Sequence, residues 1–293
     1  MAGLQDIRRR IRSVKNTQQV TKAMKMISAV KLRKSQEALL ALRPFASKLL
    51  EVVKDVVARS AELGAAGLSP VASAFLAPRE EQRIRLVVVA SDKGLCGGFN
   101  ANVLKAASAF VAGTGSAIVH LDVVGRRAAE WAKKSGLAVQ GDFQGVALAG
   151  LPAAAESIAA DAARQYEAGE IDALYVIHNY FASAIAQVPT TLRVFPMELE
   201  AASGEAPAGS VPALLEPSPA EVLDALLPRF IETTLLHALL ESSASEHGAR
   251  MAAMDKASTN AEDMIARLTL NMNKLRQASI TNQIIEIVSG ANA

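Results

Sequence analysis

The sequence carries one cysteine, Cys96. No disulfide can form within the chain, so the fold does not rely on an oxidising compartment. A reactive thiol needs an exposed, electropositive setting, and Cys96 reads instead as a small packing residue. Aromatic residues make up only 4% of the chain. That removes the stacking platforms on which single-stranded nucleic acid is held, and nucleic acid is not expected as a partner. No apolar run approaches the roughly 18–20 residues of a membrane span; the longest β-rich run is Leu86-Val87-Val88-Val89-Ala90. The start, MAGLQDIRRRIR, lacks the apolar core of a secretory signal. Its Arg-rich, acid-poor character is shared with organelle transit peptides, but the helical pattern runs on past residue 30 without a break.

Acidic residues are scarce at one end only. Residues 1–60 hold 14 Lys/Arg against 4 Asp/Glu, residues 61–217 hold 11 against 16, and residues 218–293 hold 6 against 9. A basic helix of this kind suits an acidic protein surface, an anionic membrane or a solvated face. Chemistry-bearing sets are also missing. The four histidines are His120, His178, His237 and His247. The last two stand about 15 Å apart on one predicted helix, too far to share a metal. No Ser-His-Asp or Cys-His arrangement stands out, so no catalytic residue, metal or cofactor is expected.

What is present is helical periodicity. Alanine and leucine dominate an apolar fraction of 51%, which favours helix. Leu4 to about Arg59 contains no glycine and only one proline, Pro44, expected to kink a single long helix near Leu42. Its apolar positions Ile7, Ile11, Val14, Val20, Met24, Ile27, Leu42, Phe45, Leu49, Val52 and Val56 suggest a coiled-coil seam. At 1.5 Å per residue such a helix spans about 80 Å. Ser218-Pro219-Ala220-Glu221 reads as a capping box opening a second helix that reaches about Val288. Its expected seam runs from Val222 through Leu226, Phe230, Thr233, His237 and Leu240, and on through Met254, Ser258 and Ala261 to Ser279. The lower half is poor in leucine and rich in Ala, Ser and Met, which permits close approach but buries little area per turn.

Between them the pattern alternates. Strands are predicted at Ile84–Ser91 and Ala117–Val124, a short segment near Leu137–Phe143, and a hairpin of Ala173–Tyr180 with Ile185–Phe195. Helices are predicted at Asn100–Ala112, Arg126–Lys134 and Ala153–Ala168. Such alternation reads as a small, mostly parallel α/β sheet. The division is therefore 1–60, an N-terminal coiled-coil helix; 79–200, a Rossmann-like α/β domain; 201–217, a linker; and 218–293, a C-terminal coiled-coil helix packed antiparallel on the first. Ser91 to Asn100, SDKGLCGGFN, follows a strand and opens a helix, where phosphate loops sit. Neither standard glycine spacing is met, so a turn that needs glycine torsions is the expectation.

Three blocks carry a family resemblance: MAGLQDIRRRIRSVKNTQQVTKAMKMISAVKLRKSQ at residues 1–36, SDKGLCGGFN in the middle, and KLRQASITNQIIEIVSGANA at the end. In that order they resemble the γ subunits of bacterial F-type ATP synthases. The family's closing signature has Glu where this chain has Gln283, while Glu286, Gly290 and Ala291 match. The resemblance implies a rotor shaft that is not itself an enzyme. It would lie inside a ring of α and β subunits, with its α/β domain near the ε subunit and the c-ring. Its place would be peripheral, at the cytoplasmic face of the bacterial inner membrane. Lys22, Met24 and Lys25 are carried over as surface facing the β subunits, and Arg276 and Gln277 as meeting a β-subunit loop, with Glu286 close by. Met24 reads equally as a coiled-coil knob. The alternative is a stand-alone nucleotide-binding α/β protein with helical arms, its ligand at Asp92–Asn100. A scaffold docking on membrane or nucleic acid through residues 8–34 is a third reading.

Overall fold

The structure is a computed structural model and describes residues 3–62, 68–77, 79–115, 117–197 and 215–291. Most of the expected linker, residues 201–214, lies outside the described residues. The order of elements is α1 (Leu4–Glu62), α2 (Pro70–Leu76), β1 (Arg83–Val89), α3 (Phe99–Gly113), β2 (Ile118–Val124), α4 (Arg126–Ser135), β3 (Ala138–Phe143), α5 (Leu151–Glu167), β4 (Ala173–Phe181), β5 (Gln187–Phe195) and α6 (Pro219–Ala291). Helix α1 continues through Pro44 and α6 through Pro228. At the start of α6, the Ser218 hydroxyl accepts a hydrogen bond from the Glu221 N–H at 3.3 Å, as the capping sequence predicts. Helix α2 was not anticipated. The Ser69 side chain caps it by accepting from the Ala72 N–H at 2.9 Å, and Phe75 seats it against Tyr166 and Phe195.

The chain falls into two compact units, residues 31–249 and residues 1–30 with 250–293. In the first, five strands form one sheet in the order β3-β2-β1-β4-β5. All neighbours are parallel except the β4–β5 hairpin. The central strand β1 is buried on both faces, which explains its nearly unbroken apolar run. On one face Ile84, Leu86 and Val88 pack against Val103 and Ala107 of α3 and Ala128 and Ala132 of α4. The other face shares a core with α5, with Leu49, Val53 and Val56 of α1, and with Leu223, Leu227, Ile231 and Leu235 of α6. Here α1 and α6 run antiparallel; the hydroxyls of Ser35 and Ser243 meet at 3.0 Å.

Beneath that face lies a buried charge cluster. Arg85 on β1 donates to Asp122 of β2 at 2.7 and 3.1 Å, to Asp161 of α5 at 2.7 Å and to Gln165 at 2.9 Å. Burial works against the Arg85 charge, but the hydrogen bonds and charges of Asp122 and Asp161 hold its pKa above the usual value. A Cβ on Gly141 of β3 would stand 2.6 Å from Asp122 Oδ1, so only glycine leaves that carboxylate its place.

In the second unit the first turns of α1 lie antiparallel to the C-terminal part of α6. Thr21 and Ser258 share a buried hydrogen bond of 2.7 Å, and Lys25 pairs with Asp255 at 2.6 Å. The expected seam on α1 is corrected here. Val20, Ile27 and Phe45 are exposed. Burial instead recurs at Ile7, Thr21, Ser28, Leu32, Ser35, Leu39, Leu49, Val53, Val56 and Ser60, with Ile11, Val14, Gln18, Lys25, Leu42 and Ala46 half-buried in the gaps. That is an unbroken alternation of three and four, the period of a supercoiled pair. Small polar residues hold places where leucine is usual. On α6 the expected lower seam is found at Met254, Ser258 and Ala261, with Ile265, Leu268, Met272 and Leu275 half-buried, but Ser279 is exposed.

Candidate partner-binding surfaces

In open α/β sheets, ligands enter at the carboxyl ends of the strands where the order reverses. In this sheet that point lies between β1 and β4, and helix α6 fills it. Strand β4 extends past its pairing with β1, which ends at Val88↔Ile177. Beyond it, the Asn179 side-chain amide donates to the Phe99 carbonyl at 3.4 Å. Ser245 of α6 donates to the Asn179 carbonyl at 3.0 Å. Cys96 and Phe99 pack on Ala249. Gly248 lets the helix approach closely, since a Cβ there would lie 3.2 Å from the Ala184 Cα.

The Ser91–Asn100 loop serves this joint. The Asn100 Oδ1 accepts from the Ser91 N–H at 3.0 Å. Asp92 accepts from the N–H groups of Arg126 at 3.0 Å and Gly145 at 2.9 Å, tying together three loops. Of its glycines only Gly97 takes a positive φ; the other left-handed residue is Leu95. The glycine-torsion expectation holds at one position of three. Elsewhere an open groove between α1 and α6, lined by Phe45, Lys48, Leu49, Val52 and Leu226, offers almost entirely apolar walls. Among the described residues no three His, Cys, Asp or Glu side chains gather closely enough to hold a metal.

The terminal helices present a different surface in the unit formed by residues 1–30 and 250–293. Lys22 is exposed, Met24 and Lys25 are half-buried, and Arg276, Gln277 and Glu286 are exposed. Lys25 is tied to Asp255, yet both side chains remain about half exposed, at 44% and 58%. Such a pair contributes about 0–1 kcal/mol. Met24 is thus neither a fully buried knob nor an open contact. These six residues are not one cluster. Lys25 lies beside Asp255, and Arg276 stands about 30 Å further along α6. Glu286 is about 15 Å beyond Arg276 on the same helix, so it is not brought beside it.

Apolar side chains lie open to solvent in two places. Val20, Met26 and Ile27 stand exposed around Lys22. On α6, residues 276–290 are exposed on every side, among them Ile280, Ile284, Ile285, Ile287 and Val288, from 47% to 71% exposed. The signal in the sequence is a set of isoleucines at helical spacing beyond Ser279, where the expected seam ends. A helical segment without a packed face gains little from propensity alone, and a contiguous apolar patch marks an interaction site.

The fold and these surfaces define a class: an α/β sheet domain inserted between two long terminal helices that present exposed apolar surface. Comparison with known proteins agrees. A family model described as ATP synthase matches residues 3–293. Proteins called ATP synthase gamma chain from Solibacter usitatus and Pelotomaculum thermopropionicum are 47% and 42% identical over 293 residues, covering 100% of this chain and 99% of theirs. The chain belongs to the ATP synthase gamma chain family. The fold is shared with more distant solved structures. A chain from the central stalk and c-ring of Tetrahymena thermophila mitochondrial ATP synthase aligns with a TM-score of 0.57 at 24% identity, covering 82% of this chain and 99% of that one. One from the Euglena gracilis mitochondrial enzyme, in a complex of OSCP, F1 and c-ring, gives 0.64 at 17% identity, covering 99% and 94%. Among the described residues no helix is long and apolar enough to cross a membrane.

Proposed function

We infer that this chain is the central rotor shaft, the γ subunit, of a proton-translocating F-type ATP synthase. It has no active site of its own. It couples rotation of a c-ring to conformational cycling of catalytic β subunits. Residues 1–60 and 218–293 are the arms inside the head of α and β subunits, and 79–200 is the domain that meets the ε subunit and c-ring. The complex places it peripherally on the cytoplasmic face of a bacterial inner membrane. The observation that carries the reading is full-length kinship, at 40–47% identity, with proteins named ATP synthase gamma chain.

The residue chemistry supports it. A shaft biases a β subunit only by the difference in contact energy between that subunit's states. Tight attachment at one angle would stall it. An exposed surface of Lys22, Met26, Ile27 and the α6 isoleucines offers contact area without buried ion pairs to lock it. Lys22, Met24, Lys25, Arg276, Gln277 and Glu286 are the proposed points of contact with β subunits.

Reconstitution tests this. Candidate α and β subunits mixed with the chain regain ATPase activity; without it they do not. ATPase activity that is indifferent to the chain would refute the reading. In the assembled synthase, Arg276→Ala lowers proton pumping per ATP hydrolysed in inverted vesicles; unchanged pumping would remove Arg276 from the contact set.

A further inference from the structure

We propose that residues 3–30 and 250–291 open locally when the chain is alone and become firmly helical only when partner subunits cover them, while residues 31–249 fold beforehand. The two terminal helices are held very unevenly along their length. Within residues 31–249 they bury large aliphatic side chains, among them Leu49 and Val56 of α1 and Leu227 and Ile231 of α6. Among the described residues of the other unit only three apolar side chains are buried: Ile7, Met254 and Ala261. Thr21, Ser28 and Ser258 hold other buried seam positions. Helical propensity alone stabilises a segment weakly in water, and most of a helix's stability comes from packing of its apolar face. That packing is scarce here.

The ties across this pair also part at little cost. The Thr21 and Ser258 hydroxyls meet at 2.7 Å, but each lies within reach of a carbonyl of its own helix, Gln18 at 3.0 Å and Met254 at 2.8 Å. Each hydroxyl has one proton to donate, so on separation each keeps an acceptor and no group is stranded. The Gln18 amide reaches the Ser258 carbonyl only at 3.5 Å. Lys25 and Asp255 stay about half exposed, at 44% and 58%, and water replaces such a pair with small loss. Local stability ranges from fraying ends up to the global value, and its low end here falls on the segments that carry the exposed isoleucines. A segment that orders on binding loses part of its contact energy to ordering. A broad apolar surface then gives only modest attachment, as a turning shaft requires. That last step rests on the rotor reading; the lability of the free segments does not.

The test is backbone hydrogen exchange, first on the full chain alone and then on the chain assembled with α and β subunits. Residues 11–29 and 254–275 are compared, which leaves out the fraying termini. In the free chain their amides exchange at least about ten-fold faster than those of β1 and α5, and on assembly they slow by at least about ten-fold. Protection equal to that of β1 in the free chain would overturn the proposal. Fast exchange in both states would overturn the coupling to assembly. A chain that does not copurify with the subunits would refute the rotor reading and the coupling with it, while the free-chain comparison still decides the lability.

Discussion

Gly248 is where the joint between the inserted sheet and α6 is tightest, and replacing it tests whether close approach holds them together. A Cβ would lie 3.2 Å from the Ala184 Cα, 3.3 Å from Phe181 Cε2 and 3.4 Å from the Ala184 carbonyl oxygen. A methyl group there requires its neighbours to give by a few tenths of an ångström. Alanine also gains about 1 kcal/mol over glycine in a helix interior, which offsets crowding of similar size. Gly248→Ala should therefore change stability by no more than about 1 kcal/mol. Gly248→Leu adds three further carbons where Phe181 and Ala184 already stand. Overpacking of this kind costs about 1–3 kcal/mol. Lifting the β4–β5 turn would also break the 3.0 Å bond from Ser245 to the Asn179 carbonyl, worth about 1 kcal/mol. The expected loss is about 2–4 kcal/mol, read as a lower urea midpoint for the chain at unchanged slope. A leucine variant as stable as the alanine variant would show that the joint does not depend on close approach.

The buried cluster around Arg85 gives a second prediction. Arg85→Met takes the guanidinium away from the fully buried Asp122; burial already pushes its carboxyl up although Arg85 opposes this. The expected cost is about 3–5 kcal/mol, much of it recovered in Arg85→Met with Asp122→Leu; denaturant unfolding that finds the single variant unharmed would contradict the account. A third concerns acid. Burial acts to raise the Asp172 pKa, but hydrogen bonds from the side chain and backbone of Arg83 outweigh it and hold the pKa below 3.8. Its contribution is present above that value and lost as pH falls through the lowered folded pKa. Asp172→Asn should destabilise the chain at pH 7 and converge with the parent on acidification, measured by thermal unfolding across pH; a constant gap would show that the charge is not what matters.

The pattern of elements was legible because each has a long, clear signal. Glycine-free α1, the capped start of α6 and the apolar run of β1 could scarcely be anything else. The seam of α1 was not. Apolar periodicity points to Val20, Ile27 and Phe45, while Thr21, Ser28 and Ser35 carry the buried positions. A hydroxyl can satisfy itself locally, as Thr21 does on the Gln18 carbonyl at 3.0 Å, and then reach across to the facing helix. Helix α2 was hidden because seven residues give no period, and its stability comes from Phe75 against Tyr166 and Phe195. The contact residues Lys22, Met24, Lys25, Arg276, Gln277 and Glu286 come from the family resemblance, whereas the exposure of the α6 isoleucines depends on where α1 begins.

The most direct test of the central claim is rotation itself. A bead is attached to the α/β domain at the exposed Lys133, and the chain is assembled with α and β subunits fixed to a surface. On addition of ATP the bead should turn continuously in one sense and stop when ATP is withdrawn. ATP hydrolysis by that assembly with a bead that only jitters about a fixed angle would contradict it.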